Sequence, residues 1–257
     1  MGADERPKIL KRDGQDELAY FYSEGNGAGV DLPCVMFLGG FRSDMAGSKA
    51  LHLEASCRAR GQAYLRFDYS GHGLSQGRFE EGCIGQWRDD ARDILDMIVK
   101  GPVVLVGSSM GGWIALLLLL ERAERVAGVV GIAAAPDFTL SIEGELSTAM
   151  RNDLEAKGFA AIPSAYGDPY VITKRLIEDG RKQQVLNRTH RIGAPITLVH
   201  GKLDADVPWQ VAEAIRTRFV GSRMQIIYIE DGEHRLSRPE DLDLIAREVE
   251  AVSKLTL

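Results

Sequence analysis

The stretch VVLVGSSMGGWIALLLLL, Val103 to Leu120, constrains this chain more than any other. An apolar run of strand length stops at Gly107-Ser108-Ser109-Met110-Gly111-Gly112, and a longer apolar run follows. Passing from a buried strand to a buried helix within two or three residues demands a tight join. G-x-S-x-G at such a join describes a strand–turn–helix whose central serine, Ser109, is strained in its backbone and lifted out of the sheet edge. Gly107 and Gly111 read as positions where crowding against that serine leaves no room for a Cβ. The helix start behind them aims free N–H groups at any negative charge that develops there. Ser109 is therefore the candidate nucleophile, and Ser108 is not.

The pattern around this join alternates. ELAYFYSEG, PCVMFLGGF and QAYLRF read as strands, and SKALHLEASCRARG and IGQWRDDARDILDMIVKG as helices. In the second helix Trp87, Ile94, Leu95 and Ile98 fall on the inner side. VAGVVGIAAAP, APITLVHG and RMQIIYIEDGEH are further strands, separated by PWQVAEAIRTRF and closed by RPEDLDLIAREVEAVSKL as a terminal helix. Strands that are apolar throughout, alternating with helices, indicate a mostly parallel sheet covered on both faces. From about Phe138 to Arg191 the alternation lapses into short helix-like pieces without a clear strand, an insertion rather than a second domain. Its apolar residues, Phe138, Leu140, Leu146, Met150, Leu154, Phe159, Tyr166 and Tyr170, are expected mainly to anchor it, with a minority lining a pocket. The 257 residues suit one α/β domain spanning 1–257.

A serine hydroxyl is a poor nucleophile without a base. Of the five histidines, only His234 sits at a strand's C-terminal end and follows a candidate acid in the chain. That acid is Asp204 in HGKLDADVP; Asp206 is its rival and Asp137 a weaker one. C-terminal strand ends share one edge of a parallel sheet, so Ser109, Asp204 and His234 can converge there. The order Ser…Asp…His is the one this serine turn uses. An oxyanion hole would need two backbone donors: the N–H of Met110, directly after the serine, and that of Phe41 in the Gly39-Gly40 loop. No metal or organic cofactor is required by this machinery.

A net charge of −6 argues against a nucleic-acid backbone as partner. The run IALLLLL is far short of the roughly 20 residues that span a bilayer. Cys34, Cys57 and Cys83 have neither paired nor metal-like spacing, which indicates free thiols in a reducing compartment. The charged opening MGADERPKILKRDG lacks the apolar core of a secretory signal, and a cytoplasmic location is expected.

LGGF, RFDYSGHGLSQG, GSSMGG, HGKLDADVP and DGEHRL, in this order, resemble the α/β-hydrolase fold family across essentially the whole chain. The resemblance implies an eight-stranded, mostly parallel sheet with a small helical lid after strand six, which suits about 138–191. RFDYSG, GSSMGGW, HG..D..VPW and MAGSKALHLE are similar to the mitochondrial α/β-hydrolase-domain enzymes described as protein depalmitoylases and acyl-glucuronide esterases. Carried over by position, that likeness implies Ser109, Asp204 and His234 as a triad. It also implies Asp68 and His72 as parts of a structural loop. The chain shows no Arg/Ser-rich, acid-poor leader, so a bacterial or processed form is expected. Gly39-Gly40 replaces the family's usual His-Gly at the oxyanion loop. The expected activity is hydrolysis of esters or thioesters with an apolar acyl group, on a small molecule or an acylated protein. An inactive hydrolase-fold binding protein and a carbon–carbon bond hydrolase are the alternatives.

Overall fold

In a computed structural model, residues 6–164 and 167–255 are described, without the side chains of 163–168. The chain opens with strands β1 (Lys8–Leu10), β2 (Leu18–Ser23) and β3 (Cys34–Leu38). Next come α1 (Ser48–Ala59), β4 (Tyr64–Phe67), α2 (Ile84–Ile98), β5 (Val103–Ser108), α3 (Met110–Glu121) and β6 (Val126–Ile132). The inserted segment holds α4 (Phe138–Glu145), α5 (Thr148–Lys157), β7 (Phe159–Ser164), β8 (Gly167–Thr173) and α6 (Lys174–Gly180). After a short β9 (His190–Arg191), alternation resumes with β10 (Ile196–Gly201), α7 (Gln210–Arg218), β11 (Phe219–Val220), β12 (Met224–Ile229) and α8 (Pro239–Lys254).

Eight strands form the main sheet in the order β1-β2-β4-β3-β5-β6-β10-β12. β2 pairs antiparallel with β1 and β4, and the remaining pairs are parallel. Successive strand side chains point to opposite faces, and the core divides accordingly. Met36, Leu38, Val103 and Leu105 join Trp87, Ile94, Ile114 and Leu118 of α2 and α3 on one side. Val35, Phe37, Val104 and Val106 join Leu53 of α1 and Val249 and Val252 of α8 on the other. Burial on both faces is why these strands are apolar at every position. α3 goes further: every residue from Met110 to Leu119 is buried. In α2, Trp87, Ile94 and Leu95 are buried and Ile98 packs against them, the face expected from spacing.

The insertion follows the sixth strand, and it is not purely helical. β7 and β8 form an antiparallel hairpin with an irregular register between Ile162 and Ser164. Both segments, FAAIPS and GDPYVIT, carry a proline, which weakens a strand signal in sequence. The helix read from Tyr170 starts only at Lys174, where the Thr173 hydroxyl accepts the Leu176 N–H and caps it. Of the expected anchors, Leu146 and Leu154 are buried in the main core, while Phe138, Met150 and Tyr170 pack at its edge. Phe159 is exposed, and the side chain of Tyr166 lies outside the described residues.

Candidate active site

Ser109 joins β5 to α3 at φ 53°, ψ −117°, a conformation foreign to an L-residue. Such strain costs on the order of 1–3 kcal/mol and persists only where neighbours over-determine it. Here they do: the Ser109 N–H donates to the Ile132 carbonyl at 2.9 Å, and its own carbonyl accepts from Gly112 at 2.9 Å and Ala135 at 3.0 Å. The flanking glycines are required by a different crowding from the one expected. A Cβ on Gly107 would lie 2.3 Å from the Gly111 carbonyl oxygen, and one on Gly111 only 2.0 Å from the Leu38 carbonyl oxygen. Those glycines let helix, strand and the end of β3 touch; they do not make room for the serine. Ser108 is buried at the end of β5, whereas Ser109 is part-exposed.

β10 and β12 run parallel, so their C-terminal loops emerge side by side. The Leu203 N–H donates to the Gly232 carbonyl at 2.9 Å. A Cβ on Gly201 would stand 2.2 Å from that same carbonyl oxygen, so only glycine allows the loops this close. The approach brings His234 Nδ1 to 2.8 Å from Asp204 Oδ2 and its Nε2 to 3.1 Å from Ser109 Oγ. With Nδ1–H donating to the carboxylate, Nε2 is left to accept the serine proton. The Asp204 side chain is fully shielded from solvent. Burial pushes its carboxyl up, but hydrogen bonds from His200, His234 and the Val207 N–H outweigh burial and hold it well below the ordinary carboxylate range. Its second oxygen, Oδ1, accepts the N–H groups of Asp206 and Val207 at 2.9 and 2.8 Å.

The loop after β3 runs directly past the serine, since a Cβ on Gly40 would lie 3.5 Å from Ser109 Cβ. Phe41 follows, and its ring meets Phe79 and Trp87 of the main body edge-on, at 4.8 and 5.9 Å. From the insertion it meets Phe138 and Tyr170, at 5.7 and 6.0 Å. Asp68 braces this loop from below, accepting the Met45 N–H at 2.7 Å and the Leu74 N–H at 2.8 Å. His72 is buried among Tyr69, Phe79 and Trp87, and burial pushes its imidazole down to about 4. Both residues brace the loops, and neither reaches the serine.

The rival residues fall elsewhere. Asp206 is exposed and offers Asp204 its backbone N–H. Asp137, at φ 58°, accepts the Val185 and Leu186 N–H groups at 2.9 Å each and so ties together the two ends of the insertion. His52 faces Asp243 on the surface, and His190 donates to the Val185 carbonyl. Cys34, Cys57 and Cys83 are buried free thiols. Two residues escaped the sequence reading. His200 reaches Asp204 from four residues upstream, and Lys49 at the start of α1 donates to the Arg235 carbonyl, holding the His234 loop from behind. Among the described residues, Asp204, Asp206 and His234 are the group whose potential metal-ligating atoms cluster, within 4.8 Å. Asp204 and His234 already direct such atoms at each other, so the cluster reads as a hydrogen-bonded pair. No helix among the described residues is long and apolar enough to cross a membrane.

Comparison with known proteins gives the family. A family model described as serine aminopeptidase, S33, matches residues 34–159. The Bos taurus protein named palmitoyl-protein thioesterase ABHD10, mitochondrial, is 34% identical over 239 residues, covering 92% of this chain and 76% of the relative. The Homo sapiens protein of that name is 33% identical with the same coverage. Among solved structures, a putative hydrolase from Agrobacterium vitis S4 is similar at TM-score 0.90 and 36% identity, covering 96% of this chain and 97% of the other. The α/β hydrolase domain-containing protein 10 from mouse is similar at TM-score 0.89 and 32% identity, covering 98% and 100%. The expected cytoplasmic location is corrected by these names, because the curated relatives are mitochondrial proteins. Free thiols separate reducing from oxidising surroundings and do not tell one reducing compartment from another.

Proposed function

The chain belongs to the α/β-hydrolase family that includes the ABHD10 proteins, and on that premise we propose that it hydrolyses esters or thioesters of apolar acyl groups through a covalent acyl-enzyme. The observation that carries this reading is the unbroken hydrogen-bonded path from Ser109 Oγ through His234 to Asp204. As Ser109 Oγ attacks the acyl carbon, His234 Nε2 takes its proton, and Asp204 stabilises the resulting imidazolium while fixing the ring. Negative charge gathers on the acyl oxygen, where the N–H groups of Phe41 and Met110 are the proposed donors. Each such donor is worth about 10²–10³ in rate. The carbon–oxygen or carbon–sulfur bond then breaks, and His234 returns its proton to the departing atom. Water, deprotonated by the same nitrogen, attacks the acyl carbon and releases the acid and the serine.

The preference for an apolar acyl group is supported by the rings of Phe41, Phe138 and Tyr170 gathered beside the oxyanion loop. In this reading the segment 138–191 is a lid within the single domain, and it limits acyl length. The names of the curated relatives make palmitoyl thioesters the first class to try, on small molecules or on acylated proteins. Two measurements decide the case. A fluorophosphonate probe is expected to label the wild type but not Ser109→Ala. A panel of p-nitrophenyl esters and acyl thioesters of graded length gives turnover that Ser109→Ala loses without a change in fold. A wild type inert to probe and panel, or an active Ser109→Ala, overturns the reading.

A further inference from the structure

We propose that His200 is a positioning residue of this site, donating to the same Asp204 oxygen that receives His234 and thereby setting how strongly the carboxylate holds the His234 ring. The inference rests on the reading of Ser109, His234 and Asp204 given above.

His200 is the penultimate residue of β10, its side chain 2% exposed. Its Nε2 lies 2.9 Å from the Val207 carbonyl oxygen and 3.3 Å from Asp204 Oδ2. A carbonyl oxygen only accepts, so Nε2 carries a hydrogen, and that N–H forks between the carbonyl and the carboxylate. Asp204 Oδ2 therefore takes two imidazole N–H groups, from His234 at 2.8 Å and from His200. With the two backbone N–H groups on Oδ1, the carboxylate is surrounded by four donors, which fix its rotation. They also draw off charge that would otherwise be spent on His234. Removing the His200 donor has two consequences of opposite sense. The carboxylate loses a strut, so the ring it orients is less well held. The remaining charge concentrates on His234 and stabilises its imidazolium, so the base is silenced by acid at a higher pH.

Other titratable and charged groups stand around the pair. They are Asp206 in the same loop, and Tyr228 beside it on β12 with Glu213 of α7 accepting its hydroxyl. Lys202 lies over the Tyr228 ring, and Asp137 is bound to the insertion. Glu233 and Arg235 flank His234, with Lys49 donating to the Arg235 carbonyl. Lys49, pushed down to about 8 chiefly by burial, acts on the alkaline side, so the acid limb is the one to read.

The test compares His200→Phe, which keeps the bulk without a donor, with His200→Gln, which returns an N–H near the Nε2 position, on a soluble p-nitrophenyl ester. His200→Phe is expected to lower kcat about ten-fold, with KM changed by less than about two-fold because His200 touches no substrate. The acid limb of kcat/KM is expected to rise by about 0.5–1 pH unit. His200→Gln should recover most of kcat and move the limb back. A residue that serves only packing lowers the melting temperature and leaves the limb in place. An unmoved limb in both variants overturns the proposal. Should His200→Phe not fold, ¹⁵N-histidine NMR of the wild type decides: a hydrogen on Nδ1 of His200 with Nε2 bare overturns the proposal, and one on Nε2 supports it. Activity surviving in Ser109→Ala would instead remove the reading of the whole site. A dead Ser109→Ala beside a wild-type-like His200→Phe removes only this inference.

Discussion

The turn at Ser109 and the insertion after β6 border the same site and are built on opposite terms. At the turn, the contacts that fix the serine are backbone to backbone: the Ile132 carbonyl accepts the Ser109 N–H, and carbonyls of Leu38 and Gly111 press against positions where a single methyl cannot fit. In the insertion, three short helices and a hairpin are held by a few anchors and by polar ties. Leu146 and Leu154 reach the core, and Trp113 Nε1 donates to the Gln183 carbonyl at 3.0 Å. Asp179 accepts the Gly85 N–H at 2.6 Å, and Arg181 pairs with Glu143 at the surface. The surface pair contributes little, because exposed charges are screened. Geometry for chemistry has to be held to a fraction of an ångström. A lid over an acyl group, the role proposed for the insertion, has to exclude water and can yield. The difference in construction follows that difference in demand.

The largest expected effect lies on the rigid side. Asp204→Asn keeps the size of the acid but loses its charge and offers a donor where His234 needs an acceptor, so kcat should fall by about 10⁴. Asp206→Asn, changing only an exposed side chain, should leave kcat within about two-fold. If the two results were exchanged, the exposed carboxylate would be the acid and the geometry at Asp204 incidental. Next in size is Gly111→Ala. Its methyl would meet the Leu38 carbonyl oxygen at 2.0 Å and the Gly39 carbonyl oxygen at 2.6 Å, and neither is a flexible side chain that can swing aside. A loss of about 3 kcal/mol is expected, or a melting temperature lower by about 6–12 °C, together with loss of turnover as the Phe41 loop is displaced. A stable, active Gly111→Ala would mean that the turn is softer than its contacts imply.

The same division governs what could be read from sequence. G-x-S-x-G between two apolar runs is a local signal, and so are the continuously apolar strands behind the two-faced core. Asp204 and His234 were legible because parallel topology sends every strand's C-terminal end to one edge, so position in the alternation stands in for position in space. The role of His200 is not legible in the same way, because its donor is aimed by the chain doubling back at Val207, a feature of one loop's path that leaves no periodic trace. The crowding at Gly107 and Gly111 was assigned to the wrong neighbour for a similar reason: the motif gives the need for glycine without naming the atom that imposes it. The hairpin β7–β8 was hidden by a proline in each segment. The ring cluster of Phe41, Phe79, Trp87, Phe138 and Tyr170 draws on residues from four separate stretches, and no spacing in the chain joins them.

The smallest expected effect tests the yielding side with the same added methyl. Gly144 is the penultimate residue of α4, exposed, and a Cβ there meets nothing within 4 Å. Glycine weakens a helix by its freedom in the unfolded chain, so Gly144→Ala should gain about 0.5 kcal/mol, at the low end because the position is near the helix end. A calorimetric melt should rise by about 1–2 °C, with turnover of the shortest ester unchanged. The long-chain substrates carry the sharper information. If they too turn over normally, α4 takes part as a fixed wall. If they slow while the short ester does not, a less pliant α4 has impeded the longer acyl chain, and the insertion works by yielding. A fall in stability would contradict the helical geometry at Gly144, and with it the contrast between a turn that tolerates no added atom and an insertion that does.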